Sequence, residues 1–448
     1  MRELLYAAAD AAVRHLEGLD ERRVMPRAAD VNRLDAALGG PLPDAGLDAH
    51  VIIEQLEQLG EPACVASGGG RFFGFVMGGA LPASLAASWL ATAWDQNAYR
   101  SSTSPAAALF EVHAIRWLIE LLGLPTDAGG AFVTGASMAN FAGLCAARRQ
   151  VLLAADWDAD AQGLFGAPPV QIVVSEESHP TVRKALGLLG FGQATLEAAP
   201  TDAQGRVDVA RLPTLRAPAI LCLQAGNLNS GASDPFPELC ARAREAGAWV
   251  HVDGAFGLWA RAAPERAAQV AGVELADSWA TDAHKWLNTP YDCGVVLVRH
   301  PTVLADSMRV TAPYLIRRDP PEPGDLTPEV SRRARGIEVW AALRSLGRDG
   351  VADLIEGCCQ HASAFAAGLE AMGLRVLNDV VLNQVVVETP GIDEAQRISQ
   401  ALAEGGVCWA GVTRWRERPA LRISVVSWRT TSRDVERSLA AIRDALKR

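Results

Sequence analysis

The chain has 448 residues, 49% of them hydrophobic and 21% charged, which supports two or three domains with sizeable cores and excludes a disordered chain. Its 42 basic and 52 acidic residues give a net charge of −10, which speaks against a nucleic-acid binder and for a protein that handles small molecules. Eight cysteines are scattered without a C-x-x-C, so neither a disulfide framework nor a zinc site is indicated, and a reducing cytoplasm suits them.

From the N-terminus, which carries acids early and lacks a secretory apolar region, Leu4, Leu5, Ala8, Ala12, Leu16 and Leu19 recur at helical spacing. Gly39-Gly40-Pro41-Leu42-Pro43 breaks that pattern, and a second helix fits Leu47 to Leu59. Residues 1–70 therefore read as a helical arm whose apolar stripes need cover. Phe72 to Trp94 holds 23 residues without a charge, long enough for a bilayer. Gly78-Gly79, Pro82 and two serines interrupt it, so a buried strand, loop and helix start is expected and a membrane span is not. A helix fits Pro105 to Leu122, with Ser104 as its N-cap.

Strand and helix periods then alternate. Strands are expected at Ala131–Val133, Gln171–Val174, Ala219–Leu223, Trp249–Val252, Ser278–Thr281 and Gly294–Val298, with helical stretches between most of them. This is the pattern of an α/β domain, residues 71–345, with a mostly parallel sheet covered by helices on both faces; ligands then bind at the carboxyl ends of the strands. Asp319-Pro320-Pro321-Glu322-Pro323-Gly324-Asp325 reads as an exposed, mobile loop. Residues 346–448 read as a small α+β domain, with strand candidates Arg375–Leu377, Asn383–Val387 and Leu421–Val426 and helices Asp393–Ala403 and Ser432–Leu446.

Four segments could carry chemistry. The chain has only three lysines, Lys184, Lys285 and Lys447, so Lys285 in Thr281-Asp282-Ala283-His284-Lys285-Trp286 resists a strong compositional bias. A semi-buried lysine between strands becomes a nucleophile able to form a Schiff base; otherwise it is a surface loop residue. In His251-Val252-Asp253-Gly254-Ala255 a strand ends in an aspartate, which could cap the loop, bind a metal or pair with a cationic ring nitrogen. Gly129 to Asn140 delivers a strand through Thr134-Gly135-Ala136-Ser137 onto a helix start, a place suited to phosphate. His179, after the strand and Ser175-Glu176-Glu177-Ser178, could stack on a ring, act as an acid or be structural.

In this order, with Lys285 following Asp253 by 32 residues, the set resembles the group II amino-acid decarboxylases. These are pyridoxal-phosphate (PLP) enzymes of fold type I, among them aromatic-L-amino-acid and glutamate decarboxylases; the sphingosine-phosphate lyases are related. The resemblance runs from Arg71-Phe72-Phe73-Gly74 to the last helix and is most specific at H-V-D-G-A and D-A-H-K-W. It implies pyridoxal 5'-phosphate as cofactor, residues 71–345 as its binding domain, and a homodimer with exchanged N-terminal helices. Lys285 would hold the cofactor as a Schiff base, Asp253 would pair with the ring nitrogen, and His179 would stack on the ring with Ala255 on its other face. Ala136, Ser137, Asp282 and His284 would hold the phosphate, and Asn227 would lie near the cofactor oxygen. Phe72, Phe73 and Arg422 would line the substrate pocket, Arg422 being otherwise an exposed strand residue. The implied reaction is decarboxylation of an L-amino acid to the amine through a quinonoid. One departure stands out: family members commonly carry a tyrosine in a mobile loop before the small domain, whereas Leu315 to Arg335 holds neither Tyr nor His, and Tyr314 only precedes it. That departure keeps open a carbon–carbon lyase or an aminotransferase on the same scaffold.

Overall fold

A computed structural model describes residues 1–310 and 320–447. Two compact units divide the chain. One, the sheet unit, comprises Gly78–Gln360 and Asn378–Gln384; the other, the terminal unit, comprises Met1–Met77, His361–Leu377 and Val385–Arg448. Residues 1–77 thus group with the C-terminal segments, and the division between units falls within the helix Arg335–Ala371, which itself breaks at Gly347 (φ 64°).

The sheet unit is built on β1 (Gly129–Val133), β2 (Gln171–Ser175), β3 (Leu196–Ala199), β4 (Ala219–Gln224), β5 (Trp249–Asp253), β6 (Ser278–Asp282) and β7 (Gly294–Val298). Their order is β1-β7-β6-β5-β4-β2-β3. Neighbours from β6 through β5, β4 and β2 to β3 pair in parallel, while β7 runs antiparallel to both β6 and β1. Every residue of β4, β5, β6 and β7 is buried. That explains their near-continuous apolar runs, because a sheet covered on both faces has no face left for polar alternation. The helices Ala136–Leu153, Pro180–Leu188 and Pro301–Met308 supply Ala139, Leu144, Val182, Leu186 and Leu304 to the core around Val174, Ile220 and Val296. Each such Val, Leu or Ile contributes about 1.5–3 kcal/mol of burial.

This topology positions the site. Strands β1, β2, β4, β5 and β6 share one direction, so the segments that follow them emerge at one edge of the sheet. β7 begins at that same edge, where Gly294 pairs with both Val133 and Asp282. A Cβ on Gly294 would collide with the backbone of Gly135, so the helix start after β1 is seated directly on β7.

In the terminal unit, β8 (Gln384–Glu388), β9 (Gly411–Trp415) and β10 (Arg418–Ser424) form a sheet of order β8-β10-β9, with β10 antiparallel to β9. The helix Ser432–Leu446 begins with a reciprocal cap: Thr431 Oγ1 accepts from the Asp434 N–H, and Asp434 accepts from the Thr431 N–H. Buried Arg71 donates to the carbonyls of Asp20 (2.8 Å) and Arg22 (3.1 Å), tying the chain before residue 24 to the segment leading into Phe72. By contrast, the helices Arg2–Gly18, Ala28–Leu38 and Ala49–Gln55 bury no residue at all.

Several expectations are corrected. The stretch from 72 to 94 holds no strand, only an isolated bridge from Phe72 to Trp409, and the helix Pro82–Trp94 leaves Trp89, Leu90 and Trp94 exposed. Ser104 precedes the helix Pro105–Leu121 but makes no side-chain cap. Residues 322–327 are buried rather than an exposed loop: Glu322 accepts from the N–H and hydroxyl of Ser101, and Asp325 faces Arg100 and Arg309. Of Arg375–Leu377 only the Val376–Val387 bridge forms. Residues 311–319, which include Tyr314 and the first part of the stretch from Leu315 to Arg335, lie outside the described residues.

Candidate active site

Strand β6 ends in Asp282 and hands the chain to Ala283-His284-Lys285. The Asp282 carboxylate is buried and fully engaged. It accepts from the Ala136 N–H (2.6 Å) at the start of the helix Ala136–Leu153 and lies 2.9 Å from the Lys285 ammonium. His284 Nδ1 accepts from the Cys293 N–H (3.1 Å), which leaves the proton on Nε2, 3.7 Å from Asp282. Burial holds the His284 pKa below its ordinary value. The ring of Tyr291 lies 4.3 Å from that of His284. Lys285 is half-buried, its side chain one-fifth exposed.

One strand over, β5 ends in Asp253, 6% exposed, whose Oδ1 accepts from the Ala255 N–H (3.2 Å). Burial pushes the Asp253 carboxyl above the usual carboxylate range, against the pull of His179 and Lys285. Such a group is costly unless a cation or a donor completes it. His179 is exposed and begins the helix Pro180–Leu188; its Nδ1 lies 2.7 Å from Thr181 Oγ1. Beyond β4, buried Asn227 accepts at Oδ1 from the Asn229 and Ser230 N–H groups, while its Nδ2 is buried without a partner. Ser137 is exposed and Ala255 half-buried.

The structure thus brings Lys285, Asp282, His284 and Ala136 into direct contact, and the charges of His179 and Lys285 bear on Asp253. Phe72, Phe73 and Arg422 belong to the terminal unit. There, Phe72 stacks on Trp409 (5.2 Å), and Phe73 meets Phe365 edge-on (4.8 Å). Arg422 is half-buried in β10, not an exposed strand residue, and burial pulls its pKa down to about 10. Asn140 and His251 had no role assigned from the sequence. Both are fully buried behind Asp253, and the signal that could have found them is spacing: His251 precedes Asp253 by two on one strand face, and Asn140 follows Ala136 by four on one helix face.

An amine, a buried carboxylate and an unpartnered buried amide at one sheet edge form a donor set suited to a ring carrying a carbonyl, a basic nitrogen and a phosphate. The sequence model of the pyridoxal-dependent decarboxylase conserved domain matches residues 34–387. The chain belongs to the pyridoxal-dependent decarboxylase family. It is a PLP-dependent carboxy-lyase acting on an amino acid, and its cofactor is pyridoxal phosphate. An aromatic-L-amino-acid decarboxylase of Bacillus atrophaeus is 26% identical over 97% of this chain and 93% of its own. An L-2,4-diaminobutyrate decarboxylase of Rhizobium meliloti is 30% identical over 81% of this chain and 75% of its own. Among solved structures, Oryza sativa TDC with PLP and tryptamine superposes with a TM-score of 0.90 at 24% identity, covering all of this chain and 97% of that one. That likeness establishes the α/β architecture of fold type I. Among the described residues no helix is long and apolar enough to cross a membrane, and no cluster of His, Cys, Asp and Glu could hold a metal ion.

Proposed function

We propose that the chain decarboxylates an L-amino acid to the corresponding amine, with Lys285 as the residue that binds PLP. The observation that carries this is the half-buried Lys285 ammonium, 2.9 Å from Asp282 and close enough to Asp253 for its charge to act there, in a chain with only two other lysines. PLP supplies an electron sink for the pair of electrons left on Cα when the carboxylate leaves as carbon dioxide. Asp253 would hold a proton at the ring nitrogen, which suits a buried carboxyl that needs a cationic partner. His179 would cover one face of the ring and orient the substrate, and Ala255 would pack on the other. The free Asn227 Nδ2 would donate to the ring oxygen. Asp282 orders the helix start through Ala136 and, being an anion itself, acts on the phosphate through the groups it places; the Ser137 N–H and hydroxyl and His284 Nε2–H would donate to the phosphate. Phe72, Phe73 and Arg422 would line the substrate side, and the first of these favour an apolar or aromatic side chain.

Exposed Leu5, Tyr6 and Leu42 on the N-terminal segments favour a homodimer, and the scattered free thiols favour the cytoplasm. A net charge of −10 supports neither nucleic acid nor a membrane surface as partner. A second reading has one observation behind it: the sequence from Leu315 to Arg335 holds neither Tyr nor His, so a carbon–carbon lyase or an aminotransferase is the competitor. The test is to load the protein with PLP, offer a pool of L-amino acids and follow carbon dioxide and amines by mass spectrometry, with Lys285→Ala as control. An amine formed only by the wild type supports decarboxylation. Aldehydes or keto acids without amine would overturn it in favour of the second reading.

A further inference from the structure

Behind Asp253 runs a chain of buried side chains that the proposed chemistry does not yet use. Trp249, His251 and Asp253 share one face of β5, because side chains two apart on a strand point the same way. Facing them, Ala136, Asn140 and Gly143 share one side of the helix Ala136–Leu153. Helix and strand lie so close here that a Cβ on Gly143 would meet His251 Cε1 at 2.8 Å. In this space the Trp249 indole Nε1 is 2.9 Å from Ser278 Oγ, Ser278 Oγ is 2.8 Å from His251 Nδ1, and His251 Nε2 is 2.9 Å from Asn140 Oδ1.

The direction of donation in this chain is fixed at its far end. An amide oxygen only accepts, so His251 Nε2 donates to Asn140 Oδ1; the neutral ring then accepts at Nδ1 from the Ser278 hydroxyl, which itself accepts from the Trp249 indole N–H. His251 is neutral, since complete burial pulls its pKa down to about 3. Accepting at Nδ1, it carries its proton on Nε2 and donates to Asn140 Oδ1. The Asn140 amide is thereby locked with Nδ2 turned the other way. That Nδ2 is buried and makes no geometrically complete hydrogen bond, and the carboxylate it bears on is Asp253, whose ionised form it favours.

We propose that Asn140, held by His251, Ser278 and Trp249, is a positioning residue that orients the Asp253 carboxylate and keeps it ionised opposite the cofactor's ring nitrogen. The inference rests on the reading of Asp253 as the partner of that nitrogen. Three hydrogen bonds run one way and set the Asn140 amide, leaving its Nδ2 for the Asp253 carboxylate.

The test compares wild type, Asn140→Leu (near-isosteric, without the amide), Asp253→Asn and the double variant, each loaded with PLP. Losing a hydrogen bond to a charged group is worth about ten- to a hundredfold. Asn140→Leu is expected to weaken PLP binding by that factor in an absorbance titration of the apoprotein and to lower kcat with little change in KM. The double variant should fall within about twofold of Asp253→Asn alone, since both substitutions break one interaction. Wild-type PLP affinity in Asn140→Leu, or losses that multiply in the double variant, would overturn the proposal. Asp253→Asn with wild-type turnover would overturn both this proposal and the reading beneath it. A second measurement does not depend on any variant folding: nitrogen-15 shifts of histidine-labelled wild-type holoenzyme should show His251 neutral with its proton on Nε2. An imidazolium, or the proton on Nδ1, would break the chain of donation.

Discussion

Strand β5 and the helix Arg2–Gly18 both carry clear apolar patterns, yet all five residues of the strand are buried and none of the helix is. The strand is covered by the chain's own helices, whereas the helix presents Leu5 at 60% and Tyr6 at 62% exposure. The contrast shows that apolar periodicity identifies a face that needs cover without saying which molecule provides it. Substitutions in the two regions should therefore report different things: in the sheet, folding and chemistry; in the helix, association.

The largest effect is expected at the sheet edge. Lys285→Ala should lower turnover at least roughly a thousandfold, about 4 kcal/mol of barrier, and borohydride should no longer fix the cofactor to the protein. Fixation at exposed Lys184 in that variant would remove Lys285 from its proposed role. Next comes the core of β6. Trp279 is fully buried and donates to the Val273 carbonyl (2.8 Å), so Trp279→Ala should cost about 3–5 kcal/mol in denaturant unfolding.

A smaller effect depends on pH. Asp234 accepts from the Val207 (2.8 Å) and Gln224 (2.7 Å) N–H groups, and burial raises its pKa to about 7. A carboxyl raised in the folded state adds stability that is complete below its unfolded pKa and fades as pH rises toward 7. Between pH 8 and pH 6 the wild type should gain about 1 kcal/mol from this residue, seen as a higher melting temperature. An equal gain in Asp234→Asn would show that other groups are responsible. The smallest effect on folding is expected at the exposed helix. Leu5→Ser with Tyr6→Ser should change unfolding stability of the monomer by no more than about 0.5 kcal/mol, while sedimentation should show a weaker dimer. A large loss of monomer stability would mean that the chain itself covers this helix.

How much of this was legible depended on whether one element or two had to be read. Gly294–Val298 and Ser432–Leu446 match their sequence expectation residue for residue, because a fully buried run and an amphipathic helix each announce themselves locally. Strands β3 and β9 went unread: each is short and carries exposed polar positions such as Glu197 and Arg414. The segment 319–325 has the composition of a loop. What buries Glu322 and Asp325 is Ser101, Arg100 and Arg309, partners distant in sequence. The candidate site divides in the same way. Lys285, Asp253 and the Gly135-Ala136-Ser137 turn stand out where strands end, so a single segment suffices. Asn140 and His251 become meaningful only when a helix of period 3.6 is laid on a strand of period 2, and that register is a property of the fold.

One glycine of the sheet unit has a practical consequence. Gly78 lies against the Lys285 carbonyl so closely that any Cβ there would strike it. For anyone recruiting this scaffold by directed evolution, position 78 is closed to every other amino acid while the lysine's backbone stays where it is. Libraries that randomise the neighbourhood of residue 285 should leave it untouched and spend their diversity on residues whose side chains, not main chains, face the bound ring.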